Sequence, residues 1–140
     1  MEMLSKAIEM AGKALNGKTD QYGRPYIDHT LRMVSKMDTE TEKIVAALHD
    51  VVEDGDISLY ELQDQGFPRG VIEAVGMLTK RADMTYFDYI DDVSCSELAT
   101  KVKIAEVEDN LDVFRVKKMS FQTYTLEDRA ARTLKILRGE

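Results

Sequence analysis

The fold is decided by the stretch Ala46-Ala47-Leu48-His49-Asp50-Val51-Val52-Glu53-Asp54-Gly55, which sets an imidazole beside a carboxylate within an apolar segment. Such polar groups are costly to bury unless something compensates them. A divalent cation is the simplest compensation, because neutral imidazole and carboxylate are both ligands for hard and borderline metals. The stretch therefore predicts a buried helix that carries part of a metal site.

The apolar residues between positions 44 and 52, in and just before this stretch, lie on more than one side of a helix. They are Ile44, Val45, Ala47, Leu48, Val51 and Val52. Thr39 can cap the start of the helix, and Glu42, three residues later, can complete a capping box. We predict one continuous helix that runs to about Asp54. Because its apolar surface is not confined to one face, this should be the central and most buried helix.

Helical spacing of apolar residues also dominates the rest of the chain, and no convincing alternating strand pattern occurs. We predict longer helices at residues 2–15, 26–37, from 94 or 96 to about 114, and 126–137. Shorter helices should follow Ser58, Pro68 and Thr85. The expected architecture is an all-α bundle of about seven or eight helices, with residues 1–140 forming a single domain around one core.

Charge and cysteine content exclude several classes of partner. The net charge of −7 repels polyanions, so nucleic-acid polymers are poor candidates, whereas a small phosphorylated nucleotide can still meet a local positive field. The single cysteine, Cys95, has no partner within the chain, which favours a reducing, cytoplasmic setting. Residues 1–6 carry an acid and no long apolar run, so we expect neither a signal peptide nor a membrane anchor.

Three carboxylates accompany His49 on about one and a half helical turns. Glu53 lies four residues after His49, and Asp54 lies four residues after Asp50, so each pair shares a strip of helix surface. Acids this close repel one another and raise at least one pKa, a penalty that a cation removes. His29, one turn into the second predicted helix, can supply a further ligand if the two helices pack together.

A fourth ligand is expected from another part of the chain. The long helix near the carboxyl end presents Glu106, Asp109 and Asn110 on one face, at i, i+3 and i+4. Glu106 occupies a position in an otherwise apolar stripe, and an acid at such a position needs a partner. Both Glu106 and Asp109 remain candidates at this point.

Three blocks of sequence resemble HD-domain phosphohydrolases. They are Gly23-Arg24-Pro25-Tyr26-Ile27-Asp28-His29, Ala47-Leu48-His49-Asp50-Val51-Val52-Glu53-Asp54 and Val102-Lys103-Ile104-Ala105-Glu106-Val107-Glu108-Asp109-Asn110-Leu111. Their order and spacing are similar to those in the hydrolase domain of alarmone synthetase/hydrolases and their small stand-alone relatives. Those enzymes remove pyrophosphate from the 3′ position of guanosine tetraphosphate with a bound manganese ion. The resemblance implies a single HD domain over residues 1–140.

The resemblance also implies a role for each matching residue. It makes His29, His49 and Asp50 ligands of one divalent ion, most simply Mn²⁺, and places the family's fourth ligand, an aspartate, on Glu106. It matches Glu53 and Asp54 with the family's pair of catalytic acids, and Asn110 with an asparagine that contacts the nucleotide. Further substrate contacts are expected from basic and aromatic residues, namely Arg24, Tyr26, Lys80 and Lys103.

The chain departs from the family where the nucleotide base is recognised. A basic pair that holds the nucleotide is replaced by Asp20 and Gln21, and Thr30 stands where a proline usually follows the first metal histidine. The metal half of the site is therefore retained, while the base-recognition half is not. With only two histidines, the chain favours one metal ion over a dinuclear centre.

These observations favour a metal-dependent phosphohydrolase that acts on a nucleotide phosphate or pyrophosphate ester, with an alarmone as one candidate substrate. Two alternatives remain open. One is a catalytically weak or inactive HD module that binds a nucleotide or a protein partner. The other is an HD 5′-nucleotidase, which would share the metal and differ in its pocket. The sequence leaves homo-oligomerisation open.

Overall fold

The computed structural model describes residues 2–20, 23–116 and 121–140, and for 112–116 and 121–126 it describes the backbone alone. Its helices are α1 (Glu2–Ala14), α2 (Tyr26–Lys36), α3 (Glu40–Leu48), α4 (Val51–Asp54), α5 (Leu59–Asp64), α6 (Arg69–Met77), α7 (Tyr86–Val93), α8 (Glu97–Val116) and α9 (Phe121–Leu137). Within the described ranges the only β pairing is an isolated bridge between Thr19 and Pro25. The predicted all-α architecture is confirmed, and α3 with α4 counts as one kinked helix among eight.

Helix α3 is the centre of the fold, as its apolar pattern predicts. Thr39 accepts a hydrogen bond from the Glu42 amide while the Glu42 carboxylate accepts one from the Thr39 amide, so the predicted capping box starts the helix. All residues from Ile44 to Leu48 are buried. The helix packs against α1, α2, α6 and α8, which brings segments distant in sequence around its carboxyl end.

The helix does not continue to Asp54 as one regular element, so that part of the prediction is wrong. It breaks at His49 and Asp50, where Asp50 has φ −112° and ψ −1°, and restarts as α4. On a regular helix two adjacent side chains point about 100° apart, because there are 3.6 residues per turn. The break lets Asp50 turn towards the imidazole of its neighbour, with Oδ2 2.8 Å from His49 Nε2.

The last helix also differs from the prediction, because α9 begins at Phe121 rather than at Leu126. Thr125 would cap a helix that begins at Leu126, and it lies among residues whose side chains the structure does not describe. Residues 121–125 include two threonines and two aromatic residues, which are weak helix formers, and propensity is readily overridden by tertiary packing. Here α9 packs against α7 and α8.

Among the described residues, none of the helices combines the length and the hydrophobicity that a membrane-spanning segment needs.

Helix α1 approaches α4 closely, and this contact supports the segment that carries the acids. Gly55 ends α4, and a Cβ built on it would lie 2.6 Å from the Cβ of Ala14 and 2.8 Å from the carbonyl oxygen of Val51. Gly55 has φ −113°, so the missing side chain, rather than an unusual backbone conformation, is what this position requires.

Substituting Gly55→Ala should therefore destabilise the protein. Neither the Ala14 methyl group nor the Val51 carbonyl can rotate away, so the added methyl must push α1 from α4, at a cost of about 1–3 kcal/mol in the free energy of unfolding. Gly70→Ala is the matched control, because a Cβ there meets nothing within 4 Å. Denaturant unfolding should show the control unchanged or slightly stabilised. Equal stability of the two variants would contradict the close packing.

Candidate metal centre

Two buried imidazoles and one carboxylate converge from separate helices. His29 lies in the first half of α2, and His49 with Asp50 forms the break between α3 and α4. The ring centroids of the two histidines are 5.7 Å apart. One donor atom from each of His29, His49 and Asp50 lies within 4.8 Å of the other two. The structure thus brings together three of the four residues expected to bind metal.

Hydrogen bonding leaves one nitrogen of His49 available to a cation. Its Nδ1 lies 2.6 Å from the carbonyl oxygen of Ala46, in the preceding turn of α3. A carbonyl oxygen can only accept, so Nδ1 carries the proton and the neutral ring keeps its lone pair on Nε2. That buried Nε2 makes no well-directed hydrogen bond with a described atom, although a carboxylate oxygen lies close to it.

Acids surround the free nitrogen of His49. Asp50 Oδ2 lies 2.8 Å and Glu106 Oε1 3.5 Å from Nε2. Burial lowers the pKa of His49, but the charges of Asp50 and Glu106 outweigh it and raise the pKa to about 9. The surroundings therefore favour a positive charge at this point, which a proton supplies in metal-free protein and a divalent cation would supply more strongly.

Asp50 is kept ionised at the centre of the site. Burial raises the pKa of its carboxyl, but the charge of His49 outweighs that effect, and the net shift is downward. The hydroxyl of Tyr26 donates a hydrogen bond to Asp50 Oδ2, and the Tyr26 ring meets the His29 ring edge to face at 5.4 Å. Burial and the charge of Asp50 both raise the pKa of Tyr26, so the hydroxyl remains a donor.

Glu106 approaches the site from α8 and is held there by a buried lysine. Its Oε2 lies 2.7 Å from Lys103 Nζ, and its Oε1 faces His49. Lys103 is only 6% exposed and its ammonium lies over the rings of Tyr89 and Tyr86, at 5.1 and 5.9 Å from the centroids. Burial lowers the pKa of Lys103, but the Glu106 carboxylate outweighs it and raises the pKa overall. Lys103 is thus a fixed cation beside the fourth candidate ligand.

The two acids expected to act in catalysis lie beside the same centre. One oxygen from each of Asp50, Glu53 and Asp54 lies within 4.8 Å of the other two. Burial and the charge of Asp50 raise the pKa of both Glu53 and Asp54, which makes each a better proton carrier near neutral pH. Glu53 also accepts a hydrogen bond of 2.9 Å from the backbone amide of Lys80. That amide orients Glu53, whereas the Lys80 ammonium donates to the carbonyl of Arg81.

Asp109 lies behind the site rather than in it. Its Oδ2 is 2.6 Å from His29 Nδ1, on the side of the ring away from the free Nε2, and Arg32 donates to both of its oxygens. Of the two acids on α8 left open as a fourth ligand, Glu106 faces the other donors and Asp109 faces the outer edge of His29. Arg32 has no signal in the sequence, because nothing in the spacing pairs it with Asp109.

Two cavities flank the centre and contain most of the expected substrate contacts. One, of about 340 Å³, is lined by Leu15, Lys18, Thr19, Tyr26 and Asp54. The other, of about 70 Å³, is lined by Tyr86, Lys103, Glu106, Val107, Asn110, Arg129 and Ala130. Arg129 is a further cation in this cavity that no sequence motif marks, and its guanidinium stacks 4.1 Å from the centroid of the Tyr86 ring. Each cavity is lined by one acid of the candidate site, Asp54 in the larger cavity and Glu106 in the smaller one.

The loop before α2 is closed by its own hydrogen bonds. The side chain of Asp20 accepts a 3.0 Å hydrogen bond from the amide of Arg24, and the amide of Tyr26 donates to the carbonyl of Lys18. Asp20 thus shapes the loop where the resembling enzymes hold the nucleotide with a basic residue. Arg24 itself is half-buried beside Tyr26. The second replaced position, Gln21, lies outside the described residues.

No family model matches the chain, and comparison with curated proteins finds no match. Among solved structures, the chain is similar to one described as a metazoan ortholog of SpoT that hydrolyses ppGpp and plays a role in starvation responses. The match covers 99% of this chain and 87% of the other, with a TM-score of 0.81 and 21% sequence identity. At this identity the likeness shows the fold, and the all-α HD-domain fold implied by the sequence is confirmed.

Divalent cations should stabilise the folded chain if this cluster binds them. Mn²⁺ at a hundredfold excess over its Kd should add about 2.7 kcal/mol to the free energy of unfolding, because it binds the assembled site and not the unfolded chain. His29→Ala should lose this gain, whereas Glu9→Gln, a change in an exposed residue of α1, should keep it. Thermal unfolding with EDTA or Mn²⁺ measures the difference. If the Tm of the wild-type protein does not change when Mn²⁺ is added, the assignment of a metal site to this cluster is wrong.

Proposed function

We propose that this chain is a metal-dependent phosphohydrolase that acts on a nucleotide phosphate or pyrophosphate ester, with residues 1–140 as a single HD domain. The observation that carries the proposal is the pair of buried Nε2 atoms, on His29 and His49, that lack hydrogen-bond partners among the described residues beside the carboxylate of Asp50. Buried polar atoms are normally satisfied, and unsatisfied ones call for a functional explanation. A shared cation satisfies both nitrogens at once.

The donor set fits one divalent ion. His29, His49 and Asp50 would hold it, and Glu106 would complete the set from α8 with its second oxygen still on Lys103. Two nitrogen and two carboxylate donors suit a divalent transition-metal ion, and Mn²⁺ is the ion that the family resemblance implies. When bound, the cation would polarise a phosphoryl oxygen and lower the pKa of a nearby water.

Glu53 and Asp54 divide the proton transfers. In the proposed reaction one carboxylate takes a proton from the attacking water, whose oxygen forms the new bond to phosphorus. The other acid gives its proton to the leaving oxygen as the old phosphorus–oxygen bond breaks. Raised pKa values suit both roles, because an acid that titrates closer to neutral pH can both hold and release a proton. The Lys80 amide keeps Glu53 in place during these transfers.

Substrate contacts are proposed on both sides of the acids. Tyr26 and Arg24 lie where the chain enters α2, next to the cavity that contains Lys18. Lys103 and Asn110 line the smaller cavity on α8. Lys80 borders Glu53 through its backbone, and its ammonium can reach solvent from the same loop. The cationic members of this group supply the local positive field that a phosphorylated nucleotide needs in a chain of net charge −7. They are Lys18, Arg24, Lys80 and Lys103.

Guanosine tetraphosphate is the first substrate to test, because the structural neighbour is described as hydrolysing ppGpp. Asp20 and Gln21 replace the basic pair with which the family holds the nucleotide, so we expect other residues to hold the nucleotide base here. We therefore propose the reaction class with an alarmone 3′-pyrophosphohydrolase as its most specific form, and an HD 5′-nucleotidase as the alternative enzyme. The acidic surface argues against nucleic-acid polymers, and a cytoplasmic location remains part of the proposal.

A non-catalytic module that binds a nucleotide or a protein partner is the second candidate. Two departures from the family favour it: glutamate replaces aspartate at position 106, and Asp20 and Gln21 replace the basic pair. Elemental analysis of the purified chain separates the two candidates. Stoichiometric metal, or uptake of one Mn²⁺ per chain, supports the hydrolase, and failure to bind Mn²⁺ supports the module.

Two substitutions should divide metal binding from turnover. His49→Ala should lose bound Mn²⁺ and hydrolysis together, because the ring supplies a ligand. Glu53→Gln should bind Mn²⁺ as wild-type protein does and lose about 10²- to 10⁴-fold in turnover, because the amide cannot carry the proton. Glu9→Gln, in an exposed carboxylate on α1, is the matched control and should change neither property.

Release of phosphate or pyrophosphate from a panel of nucleotide mono- and polyphosphates, including ppGpp, provides the measurement. A metal-loaded wild-type chain that is inert towards the whole panel would contradict the proposed function. Full turnover by Glu53→Gln would move the proton-transfer role to Asp54 alone.

A further inference from the structure

We infer that Asp109 is a positioning residue that holds His29 in the tautomer able to bind a metal ion. The inference rests on the proposed metal site and adds a residue that acts on it through His29. It concerns the outer edge of the ring, on the side away from the cluster formed with His49 and Asp50.

The contact between the two side chains is short and enclosed. Asp109 Oδ2 lies 2.6 Å from His29 Nδ1, and the two side chains are 2% and 5% exposed. An ionised carboxylate can only accept a hydrogen bond, so Nδ1 must donate the proton. The neutral ring then carries its lone pair on Nε2, the atom without a described partner at the centre. Carboxylate–histidine pairs of this kind orient metal-binding rings and raise the basicity of the ligand nitrogen.

Cations on α2 keep Asp109 in its accepting form. Arg32 Nε lies 2.8 Å from Oδ1 and Arg32 Nη2 lies 3.0 Å from Oδ2, while Lys36 Nζ lies 3.6 Å from Oδ1. A bidentate guanidinium fixes the plane of the carboxylate as well as its charge. His29, Arg32 and Lys36 all belong to α2, so Asp109 joins α8 to the helix that carries the ligand.

The two histidines are thus set in the same tautomer by different means. His49 donates to the carbonyl of Ala46, three residues back, so its orientation is set by a local contact at the end of α3. His29 donates to a residue 80 positions away, so its orientation depends on the packing of α8 against α2. Assembly of a competent site therefore requires the docking of α8, which also delivers Glu106.

The test reads the His29 ring directly by ¹⁵N NMR of the imidazole nitrogens in the full chain. Only two histidines are present, so two ring systems appear, and His29→Gln assigns them. In EDTA-treated wild-type protein, at a pH where the rings are neutral, we expect both to carry the proton on Nδ1. In Asp109→Leu, which offers no acceptor, the His29 proton should move to Nε2 while His49 is unchanged.

Mn²⁺ affinity gives the second readout, by isothermal titration of the same proteins. Asp109→Leu and Asp109→Ala should each weaken binding by about ten- to hundredfold, as loss of an outer partner of a metal-binding histidine does elsewhere. Asp109→Ala also offers no acceptor to His29 Nδ1, and it serves if the leucine variant does not fold. Arg32→Gln is the matched control, because it removes the guanidinium contact between α2 and α8 but leaves the carboxylate on His29.

A purely structural role for Asp109 predicts a different pattern. Arg32→Gln and Asp109→Leu would then weaken Mn²⁺ binding alike, and the His29 proton would stay on Nδ1 in Asp109→Leu, which would overturn the inference. Wild-type Mn²⁺ affinity in Asp109→Leu or Asp109→Ala would overturn it as well. If wild-type protein binds no Mn²⁺, the proposed function fails, whereas the ring tautomer still decides whether Asp109 sets His29.

Discussion

The structure depends on the compensation of two imidazoles buried beside a carboxylate. His29, His49 and Asp50 are at most 6% exposed, and each of the two rings has one nitrogen with no hydrogen-bond partner among the described atoms. Burying a polar atom without a hydrogen-bond partner costs free energy in a low-dielectric interior, so we expect another group to compensate these nitrogens. Protein groups at the outer edges fix both rings, and a cation is the group that suits the inner edges.

Several local features follow from this constraint. The kink between α3 and α4 lets two adjacent side chains face one point, whereas on a regular helix they point about 100° apart. The absence of a side chain at Gly55 lets α1 support the kinked segment. On α8, residues three apart serve opposite sides of the rings, Glu106 towards His49 and Asp109 towards the outer edge of His29. The buried Lys103 then holds the charge of Glu106 in place.

Much of this arrangement can be predicted from sequence because it is local or periodic. The capping box at Thr39, the central position of α3 and the shared strip of acids all follow from spacings within one helix. The kink does not, because it results from what His49 and Asp50 must reach together. The Lys80 amide and Arg32 were beyond sequence reasoning for a related reason. A backbone donor has no residue-type signature, and a contact across 77 positions has no spacing rule.

Anomalous diffraction from Mn²⁺-soaked crystals tests the central claim most directly, because it locates the ion without reference to activity. The account predicts one strong manganese peak per chain, bonded to Nε2 of both His29 and His49 and to the carboxylate of Asp50. No peak between these rings, or a peak only at surface acids such as Asp91 and Asp92, would show that the buried nitrogens are satisfied in some other way, and the account would be wrong.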